Sequence, residues 1–498
     1  MWSEVTLPLW GIVVLAVLAA IAILDRLLVP GLRLVLRRRA TRAIEQLNTR
    51  LNLRIQPFKT TRRKVLVDRL LADPEVMAAI DADTAETGVT RAFALAKATR
   101  YAREIVPAFS AAAYFRVGTR LARRVSQALY RVRLGYANDD ALRAVPPDAA
   151  VVFVINHRSN MDYVLVTYVA SAYSALSYAV GEWAQVWGLR GLIRSMGAYF
   201  IRRNSHDLLY RRVLARYVDM ATKAGVVQAI FPEGGLSRDG ALKPPKFGLL
   251  SYMVSGFDPH GARDVVFIPV GLNYDRVLED RVLTAASAPA PERQGRIASA
   301  PSSSPADQSP SFRFNALVFT GFIVKNLWLL LHGNWHRYGY ACVSFGRPIS
   351  LREHLAVRKI DLRTLPSAAR NAEIEALGHT LMQAVGRVVP ALPVSLVATV
   401  LGQAVDQSLT PFELKGRVAG LIADLERSGA HVHIPRQDRD YAIEVGLRML
   451  KMRRLIVFGP DGYRANPADA RLLAYYANAI AHLLPAPATA APAESDAG

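Results

Sequence analysis

Between residues 146 and 350, short runs of apolar, β-branched residues alternate with longer stretches of helical spacing. Such runs are typical of strands that are buried on both faces of a sheet. They occupy residues 151–155, 199–201, 226–231, 265–270 and 340–345. Strands that alternate with helices pair largely in parallel. The sequence therefore predicts an α/β domain over residues 141–350, built on a mixed, partly parallel sheet.

Helical spacing dominates the regions on both sides of this domain. Residues 41–140 and 351–485 are predicted to be helical, the second region with a small β-like piece at 455–458. The composition of residues 285–311, rich in Ala, Pro and Ser, predicts a disordered insertion in the α/β domain. Residues 486–498 are predicted to form a disordered tail.

The N-terminus predicts a transmembrane anchor with a basic flank over residues 1–40. Residues 7–24 carry no charge, and a helix of that length spans roughly 27 Å, close to the hydrocarbon thickness of a bilayer. A buried core helix and a signal peptide are the alternatives, but a signal peptide carries positive charge before its apolar run, where this chain has only Glu4. Lys and Arg are concentrated after the run instead, which predicts a cytoplasmic flank able to attract anionic lipids.

The charge of the chain points to a phosphate-bearing partner. Lys and Arg number 62 against 41 Asp and Glu, for a formal net charge of +21. This balance suits nucleic acid, lipid head groups or a small phosphorylated substrate. No nucleic-acid-binding motif is present, and much of the charge flanks the predicted anchor, so nucleic acid is not an expected partner. The single cysteine, Cys342, excludes an intrachain disulfide and a cysteine-based zinc site.

The first candidate for chemistry is a histidine–aspartate pair. His157 follows the strand at 151–155, and Asp162 comes five positions later. Ligands bind at the carboxyl ends of strands in α/β sheets. A carboxylate on one imidazole nitrogen fixes the tautomer and raises the basicity of the other nitrogen, which can then accept a proton from a hydroxyl. By itself the spacing is weak, and a structural histidine is the alternative.

A glycine-containing loop follows the strand at 226–231. Gly234 and Gly235 allow a tight turn and a close approach to a ligand. Arg238 offers a planar set of donors that matches phosphate, and Ser237 adds a hydroxyl. Glu233 would either orient a polyol hydroxyl or pin the loop. An ordinary turn with a solvated arginine is the alternative.

Two further segments complete the set. Arg202 and Arg203 follow the strand-like run at 199–201. Pro269 lies inside the run at 265–270, where a proline predicts an edge strand or a bulge.

Taken together and in order, these four segments resemble the motif set of the glycerolipid acyltransferases. The form His-Arg-Ser-Asn-Met-Asp-Tyr at 157–163 and the form Gly-Ala-Tyr-Phe-Ile-Arg-Arg at 197–203 are similar to those of glycerol-3-phosphate acyltransferases. The Phe-Pro-Glu-Gly-Gly-Leu-Ser-Arg loop at 231–238 also matches. Over about residues 60–460 the chain resembles the bacterial membrane-bound type, from which it departs at Pro232 and in the insertion.

The resemblance implies transfer of a fatty acyl group from acyl-CoA or acyl carrier protein to the sn-1 hydroxyl of glycerol 3-phosphate, giving lysophosphatidic acid. His157 would be the general base and Asp162 would hold its ring, with no nucleophilic serine, bound cofactor or metal. The substrate-binding residues would be Arg158, Ser159, Arg202, Arg203, Glu233, Gly234, Gly235, Ser237, Arg238 and Pro269.

The location and the alternatives follow from the same resemblance. The enzyme would lie on the bacterial inner membrane, with anionic membrane lipids as partners and the catalytic domain on the cytoplasmic side. Dihydroxyacetone phosphate and lysophosphatidate remain alternative acceptors. A non-catalytic, membrane-associated lipid-binding protein is the alternative of another class.

Overall fold

The computed structural model describes residues 53–171, 174–181, 189–202, 205–285, 338–404 and 407–485. The predicted membrane anchor, the predicted insertion after its first residue, and the predicted tail lie outside these residues. Within the described ranges, no helix has the length and apolar character needed to cross a membrane.

The N-terminal described region is helical up to residue 129. Its elements are α1 (Pro57–Thr60), α2 (Arg63–Leu71), α3 (Pro74–Thr87), α4 (Arg91–Ile105), a π-helical segment (Ala113–Gly118) and α5 (Thr119–Leu129). Two of these helices begin at side-chain caps, where Asp73 accepts a hydrogen bond from the Glu75 N–H and Thr90 accepts one from the Phe93 N–H.

The helical prediction for residues 41–140 is wrong at its end, because Arg131–Ala137 form the first strand. This strand lies at an edge of the sheet and pairs in parallel with the strand Tyr340–Phe345. Its residues are mostly exposed, so the continuous apolar run of a buried strand is absent. Pairing with a segment two hundred residues away decides its conformation.

A mixed sheet of eight strands forms the centre of the α/β domain. The strands are β1 (Arg131–Ala137), β2 (Ala150–Ile155), β3 (Ser177–Val180), β4 (Tyr199–Phe200), β5 (Gln228–Ile230), β6 (Val265–Tyr274), β7 (Tyr340–Phe345) and β8 (Ile349–Ser350). Their order is β1-β7-β6-β2-β5-β3-β4, with β8 on β6. Neighbouring strands are parallel except where β6 meets β7 and β8, which confirms the predicted mixed, partly parallel sheet. The short strands β3 and β8 are absent from the sequence-based prediction.

Pro269 does not lie at an edge, because β6 is an interior strand between β2 and β7. On the side of β6 that faces away from β2, Val266 and Phe267 pair with β8, and the residues from Val270 onward pair with β7. The Pro269 carbonyl accepts the Gly346 N–H at 2.8 Å, in the turn between β7 and β8. The N–H and C=O groups of one strand residue point to the same side of the strand. The N–H that proline lacks would therefore point to the gap between the β6–β8 pairing and the β6–β7 pairing, where no ladder hydrogen bond is lost.

The sheet is covered on both faces by helices, and β2 shows how. Its odd-numbered residues belong to one apolar cluster and its even-numbered residues to another. The first cluster includes the C-terminal helices from residue 393 onward. The second includes the N-terminal helices between residues 63 and 105 together with the helices at 351–358 and 367–388. All six residues of β2 are buried, which accounts for the continuous apolar run in the sequence. The helices of the domain are α6 (Asp139–Arg143), α7 (Met161–Ala170), α8 (Leu189–Ser195), α9 (Leu208–Lys223), α10 (Gly248–Val254) and α11 (Asp280–Ala285).

The C-terminal region is helical, as predicted, and the predicted β-like piece at 455–458 forms one strand of a small hairpin. Its elements are α12 (Leu351–Arg358), α13 (Ser367–Val388), α14 (Pro393–Gln403), α15 (Pro411–Arg427), α16 (Arg439–Met452), the hairpin β9 (Ile456–Gly459) and β10 (Gly462–Ala465), and α17 (Ala470–Asn478). Short 3-10 turns lie at Pro435–Gln437, Pro467–Asp469 and Ala481–Leu483. The region packs onto the sheet: the Asn273 side chain of β6 donates to the Pro390 carbonyl at 2.9 Å.

Candidate active site

The loop between β2 and α7 places a histidine against an aspartate. His157 Nδ1 lies 2.9 Å from Asp162 Oδ2, and both side chains are buried. Asp162 is in the first turn of α7, so its carboxylate reaches back over the loop. The same oxygen accepts the backbone N–H groups of Arg158 at 2.7 Å and Ser159 at 3.0 Å, while Oδ1 accepts the Tyr274 hydroxyl at 2.7 Å. Four donors therefore fix this carboxylate.

The other imidazole nitrogen of His157 is buried and has no hydrogen-bond partner among the described residues. A buried polar atom left unpaired costs about 1–3 kcal/mol, and such atoms concentrate at functional sites. Because a carboxylate acceptor faces Nδ1, the proton belongs on Nδ1 and the lone pair on Nε2. Phe231 packs on the ring at 4.4 Å between centroids, and Tyr163 meets it edge-on at 5.5 Å. The arrangement can accept one proton from a ligand at Nε2.

Glu233 braces the histidine loop from the neighbouring strand β5. Its Oε1 accepts the His157 N–H at 2.8 Å, and its Oε2 accepts the Lys243 N–H at 3.2 Å. Burial raises the pKa of this carboxyl group, and the nearby Arg158 guanidinium and the two N–H donors act in the opposite direction. Of the two roles that the sequence allowed for Glu233, the described contacts are those of pinning the loop.

The glycines of the same loop allow the chain to turn beside Lys246. Gly234 has a φ of +67°, a conformation that strongly favours glycine. A Cβ atom at this position would lie 2.6 Å from Lys246 Cδ, so the lysine stem fills the space that the missing side chain leaves. Gly235 follows it in the half-buried part of the loop.

The two serines of the predicted site bind other parts of the protein. Ser159 Oγ donates to Glu279 Oε2 at 2.8 Å and accepts the Met161 N–H at 3.1 Å. Ser237 Oγ donates to the Ala241 carbonyl at 2.8 Å, and its N–H donates to the His157 carbonyl at 3.1 Å. Both residues support the loops at His157, and direct contact of either hydroxyl with a substrate stays a prediction.

Arg158 connects the histidine loop to the C-terminal region. Its Nη2 donates to the Ala479 carbonyl at 2.9 Å, and its Nη1 is buried without a partner in the described part of the chain. Burial and this guanidinium together lower the pKa of His482 to about 4. The unpaired Nη1 leaves Arg158 one donor for a ligand. Binding of a substrate by Arg158 stays a prediction.

The predicted phosphate-binding arginines fall into two groups. Arg238 is exposed and directly follows Ser237, whose N–H donates to the His157 carbonyl. It forms no ion pair with a described residue. Arg202 instead forms a bidentate pair with Glu104, at 3.0 and 2.6 Å. It follows β4, which lies three strands from β2, about 14 Å at the usual strand spacing. Arg203 lies outside the described residues, and Pro269 lies beside Val154 of β2, just before the histidine loop.

Several residues of the site carry no signal in the sequence. Tyr274 and Glu279 reach the histidine loop from β6 and the segment after it, more than a hundred positions away. Phe231 and Tyr163 belong to the motifs, but nothing local indicates that their rings pack on the imidazole. Lys243 donates from Nζ to the Leu236 carbonyl at 2.6 Å and thereby closes the glycine loop.

Two family models match this chain, and their positions agree with the described architecture. Residues 137–273, which include β2 to β5, nearly all of β6 and both His157 and Asp162, match the Acyltransferase model. Residues 326–494 match the model of the glycerol-3-phosphate acyltransferase C-terminal region. These matches agree with the resemblance found in the motifs. Residues 137–273 are similar to acyltransferase domains, and residues 326–494 are similar to the C-terminal region of glycerol-3-phosphate acyltransferases.

Curated proteins that are similar to this chain are named glycerol-3-phosphate acyltransferase. One from Alteromonas mediterranea is 26% identical over 445 residues, covering 85% of this chain and 50% of the relative. One from Pseudomonas fluorescens is 26% identical, covering 86% and 49%. One from Pseudoalteromonas atlantica is 33% identical over 189 residues, covering 37% and 23%. The chain thus spans about half the length of the curated relatives that it matches along most of its own length.

A solved structure with similarity to the chain is the 1-acyl-sn-glycerophosphate acyltransferase from Thermotoga maritima. The two are 15% identical, with coverage of 64% of this chain and 97% of that chain, and the TM-score is 0.30. A likeness at this level carries no argument about the fold or the function.

Proposed function

We propose that this chain is a glycerol-3-phosphate 1-O-acyltransferase that takes its acyl group from acyl-CoA or acyl carrier protein. The observation that carries the proposal is the unpartnered, buried Nε2 of His157, with Nδ1 held by Asp162. This is the geometry that a general base for a hydroxyl requires. The two matching family models support the reaction class, and the second supports the acceptor.

In the proposed reaction the sn-1 hydroxyl oxygen attacks the thioester carbonyl carbon. His157 Nε2 takes the hydroxyl proton as the C–O bond forms, and the imidazolium is stabilised by Asp162 at 2.9 Å. Collapse of the tetrahedral intermediate breaks the C–S bond, and the proton passes from His157 to the departing thiolate. The base is thereby regenerated, and no acyl-enzyme is needed.

The acceptor phosphate is proposed to bind at Arg238. This arginine is exposed beside the histidine loop, and Lys243 and Lys246 on the same loop add positive charge. A charge-assisted contact of a guanidinium with phosphate contributes roughly 1.5–3 kcal/mol. Arg202 would contribute only by exchanging its Glu104 partner for the phosphate.

Attachment to the cytoplasmic face of the bacterial inner membrane is part of the proposal. The support is the uncharged run at 7–24 and the basic flank after it, together with substrates whose acyl chains partition into a bilayer. An anchored enzyme meets both its donor and anionic lipids at that surface.

Dihydroxyacetone phosphate and lysophosphatidate are the second candidates for the acceptor, because the same base and phosphate clamp serve them equally well. The decisive experiment offers the three acceptors separately to the full-length chain in membranes, each with acyl-CoA and with acyl carrier protein. The expected product is lysophosphatidic acid from glycerol 3-phosphate. Acylation of only another acceptor would refute the acceptor assignment.

The same experiment separates an enzyme from a lipid-binding protein. Membranes with His157→Ala serve as the blank, and membranes with His260→Ala serve as the matched control, since His260 is an exposed histidine outside the site. The non-catalytic alternative predicts no transfer above the His157→Ala blank with any acceptor or donor.

A further inference from the structure

A cavity of about 810 Å³ lies between α4 and α8, apart from the residues that surround His157. It borders the β4 edge of the sheet, where the Arg194 guanidinium lies over the Phe200 ring at 5.3 Å. Part of its wall consists of small and apolar side chains of α4. The rest carries five arginines, namely Arg63, Arg100, Arg103, Arg190 and Arg194.

Among the described residues, a single carboxylate opposes the positive charge in this cavity. Glu104 is the one acidic residue in the wall, and both of its carboxylate oxygens bind Arg202. None of the five arginines forms an ion pair with a described residue. Within the described ranges, Arg63 donates only to main-chain carbonyls, those of Val106 at 3.0 Å and of Arg103.

The arginines also act on one another. Burial, followed by repulsion from Arg103 and Arg190, lowers the pKa of Arg63. Burial, followed by repulsion from Arg63 and Arg190, lowers the pKa of Arg194 to about 10. The Nε atom of Arg194 is buried and has no partner in the described ranges, although Nη2 donates to the Glu104 carbonyl at 3.1 Å. A cluster of like charges that is kept together despite burial and mutual repulsion is a candidate binding site for a ligand of the opposite charge.

The size of the cavity and the kind of cation define the ligand. Arginine presents planar donors that match the geometry of phosphate oxygens. A cavity of this volume accommodates an organic molecule, well beyond a single inorganic ion. We infer that the cavity between α4 and α8 binds a phosphate-bearing organic anion, the chemistry shared by the nucleotide end of a coenzyme A thioester and by a phospholipid head group. This inference stands on the cavity alone and does not require the proposed acyl transfer.

The test compares two variants of the full-length chain in a non-ionic detergent. Arg103→Gln with Arg190→Gln removes two exposed guanidinium groups whose side chains make no hydrogen bond to a described residue, so folding should be retained. Arg448→Gln with Arg471→Gln is the matched control, because these are exposed arginines on α16 and α17 without an ion pair in the described part of the chain. Near-identical thermal unfolding of both variants and the wild type checks the fold.

Binding of two probes is measured without turnover. Calorimetry is used for adenosine 3′,5′-bisphosphate, and flotation is used for phosphatidylglycerol-containing vesicles after the detergent has been diluted below its critical micelle concentration. The double variant is expected to bind at least one probe roughly tenfold more weakly than the control does, because charge-assisted contacts are lost. Wild-type binding of that probe should weaken as salt is added. The basic N-terminal flank is the same in all chains, so its contribution to vesicle binding cancels.

The outcomes separate the two sources of phosphate. Loss confined to the bisphosphate confirms the site and assigns it to the donor nucleotide, and loss confined to the vesicles confirms it and assigns it to a lipid head group. Equal affinities of the double variant and the control for both probes would overturn the inference. Because neither assay needs catalysis, an inactive enzyme would leave this test intact while refuting the proposed function.

Discussion

Replacement of Asp162 by asparagine isolates the charge of the carboxylate from its hydrogen bonds. Oδ2 accepts three N–H groups, whereas Oδ1 accepts only the Tyr274 hydroxyl among the described residues. In Asp162→Asn the amide oxygen therefore takes the Oδ2 position and keeps its three N–H donors. The amide NH2 group takes the Oδ1 position, and the Tyr274 hydroxyl can rotate to accept a hydrogen bond from it. The His157 tautomer is retained, and what disappears is the negative charge 2.9 Å from the imidazolium that forms during the reaction.

The size of the effect follows from that geometry. Two unit charges at about 4 Å interact by about 4 kcal/mol at an effective dielectric constant near 20, which corresponds to a rate loss of roughly a thousandfold. Initial rates of acyl transfer at saturating acceptor and donor measure it, with Asp148→Asn as a control, since Asp148 is exposed and outside the site. A rate of Asp162→Asn within about tenfold of the control would refute the claim that Asp162 stabilises a protonated His157.

Three further predictions test the phosphate clamp, the carboxylate support and the buried core. Arg238→Ala should raise the KM for glycerol 3-phosphate by roughly tenfold or more and leave the donor KM nearly unchanged, because only the acceptor phosphate meets the guanidinium; equal changes in both would contradict the clamp. Tyr274→Phe should lower the free energy of unfolding by about 1.5–3 kcal/mol in urea titrations, since it removes a buried bond to Asp162 Oδ1 at 2.7 Å; no loss of stability would argue against that bond. Burial raises the pKa of Asp275 from 3.8 to about 7, so its contribution to stability is present below pH 3.8 and is lost as the pH rises through 7. Asp275→Asn should remove that part of the pH dependence, roughly 4 kcal/mol between the two pH limits, and an unchanged slope would refute the assignment.

The features that depend on residues close together in the sequence could be predicted from the sequence alone. The continuous apolar run of β2 follows from burial on both faces of the sheet, and such a run is visible in any single sequence. His157 and Asp162 are five positions apart, so one strand end and one helix turn are enough to bring them together. The glycine loop is likewise short, and Gly234 has the positive φ that its sequence context favours.

Contacts between distant segments decided the parts that the sequence could not predict. The resemblance implies a phosphate-binding role for Arg202. Its pairing with Glu104, 98 positions away in the sequence, depends on how α4 packs against β4. The partnership of Asp162 with Tyr274 depends on the register of β6, and the strand character of Arg131–Ala137 depends on β7. In each case the deciding partner is remote in the chain, and no periodicity near the residue carries that information.

The central claim is that His157 Nε2 is the general base for acyl transfer. The most direct measurement is the rate of lysophosphatidic acid formation from glycerol 3-phosphate by membranes with His157→Ala, at protein levels matched to the His260→Ala control. Positioned general bases contribute roughly a hundredfold to ten-thousandfold to rate, so the account predicts a loss of at least that lower size with the control unaffected. Activity of His157→Ala within about tenfold of the control would contradict the account.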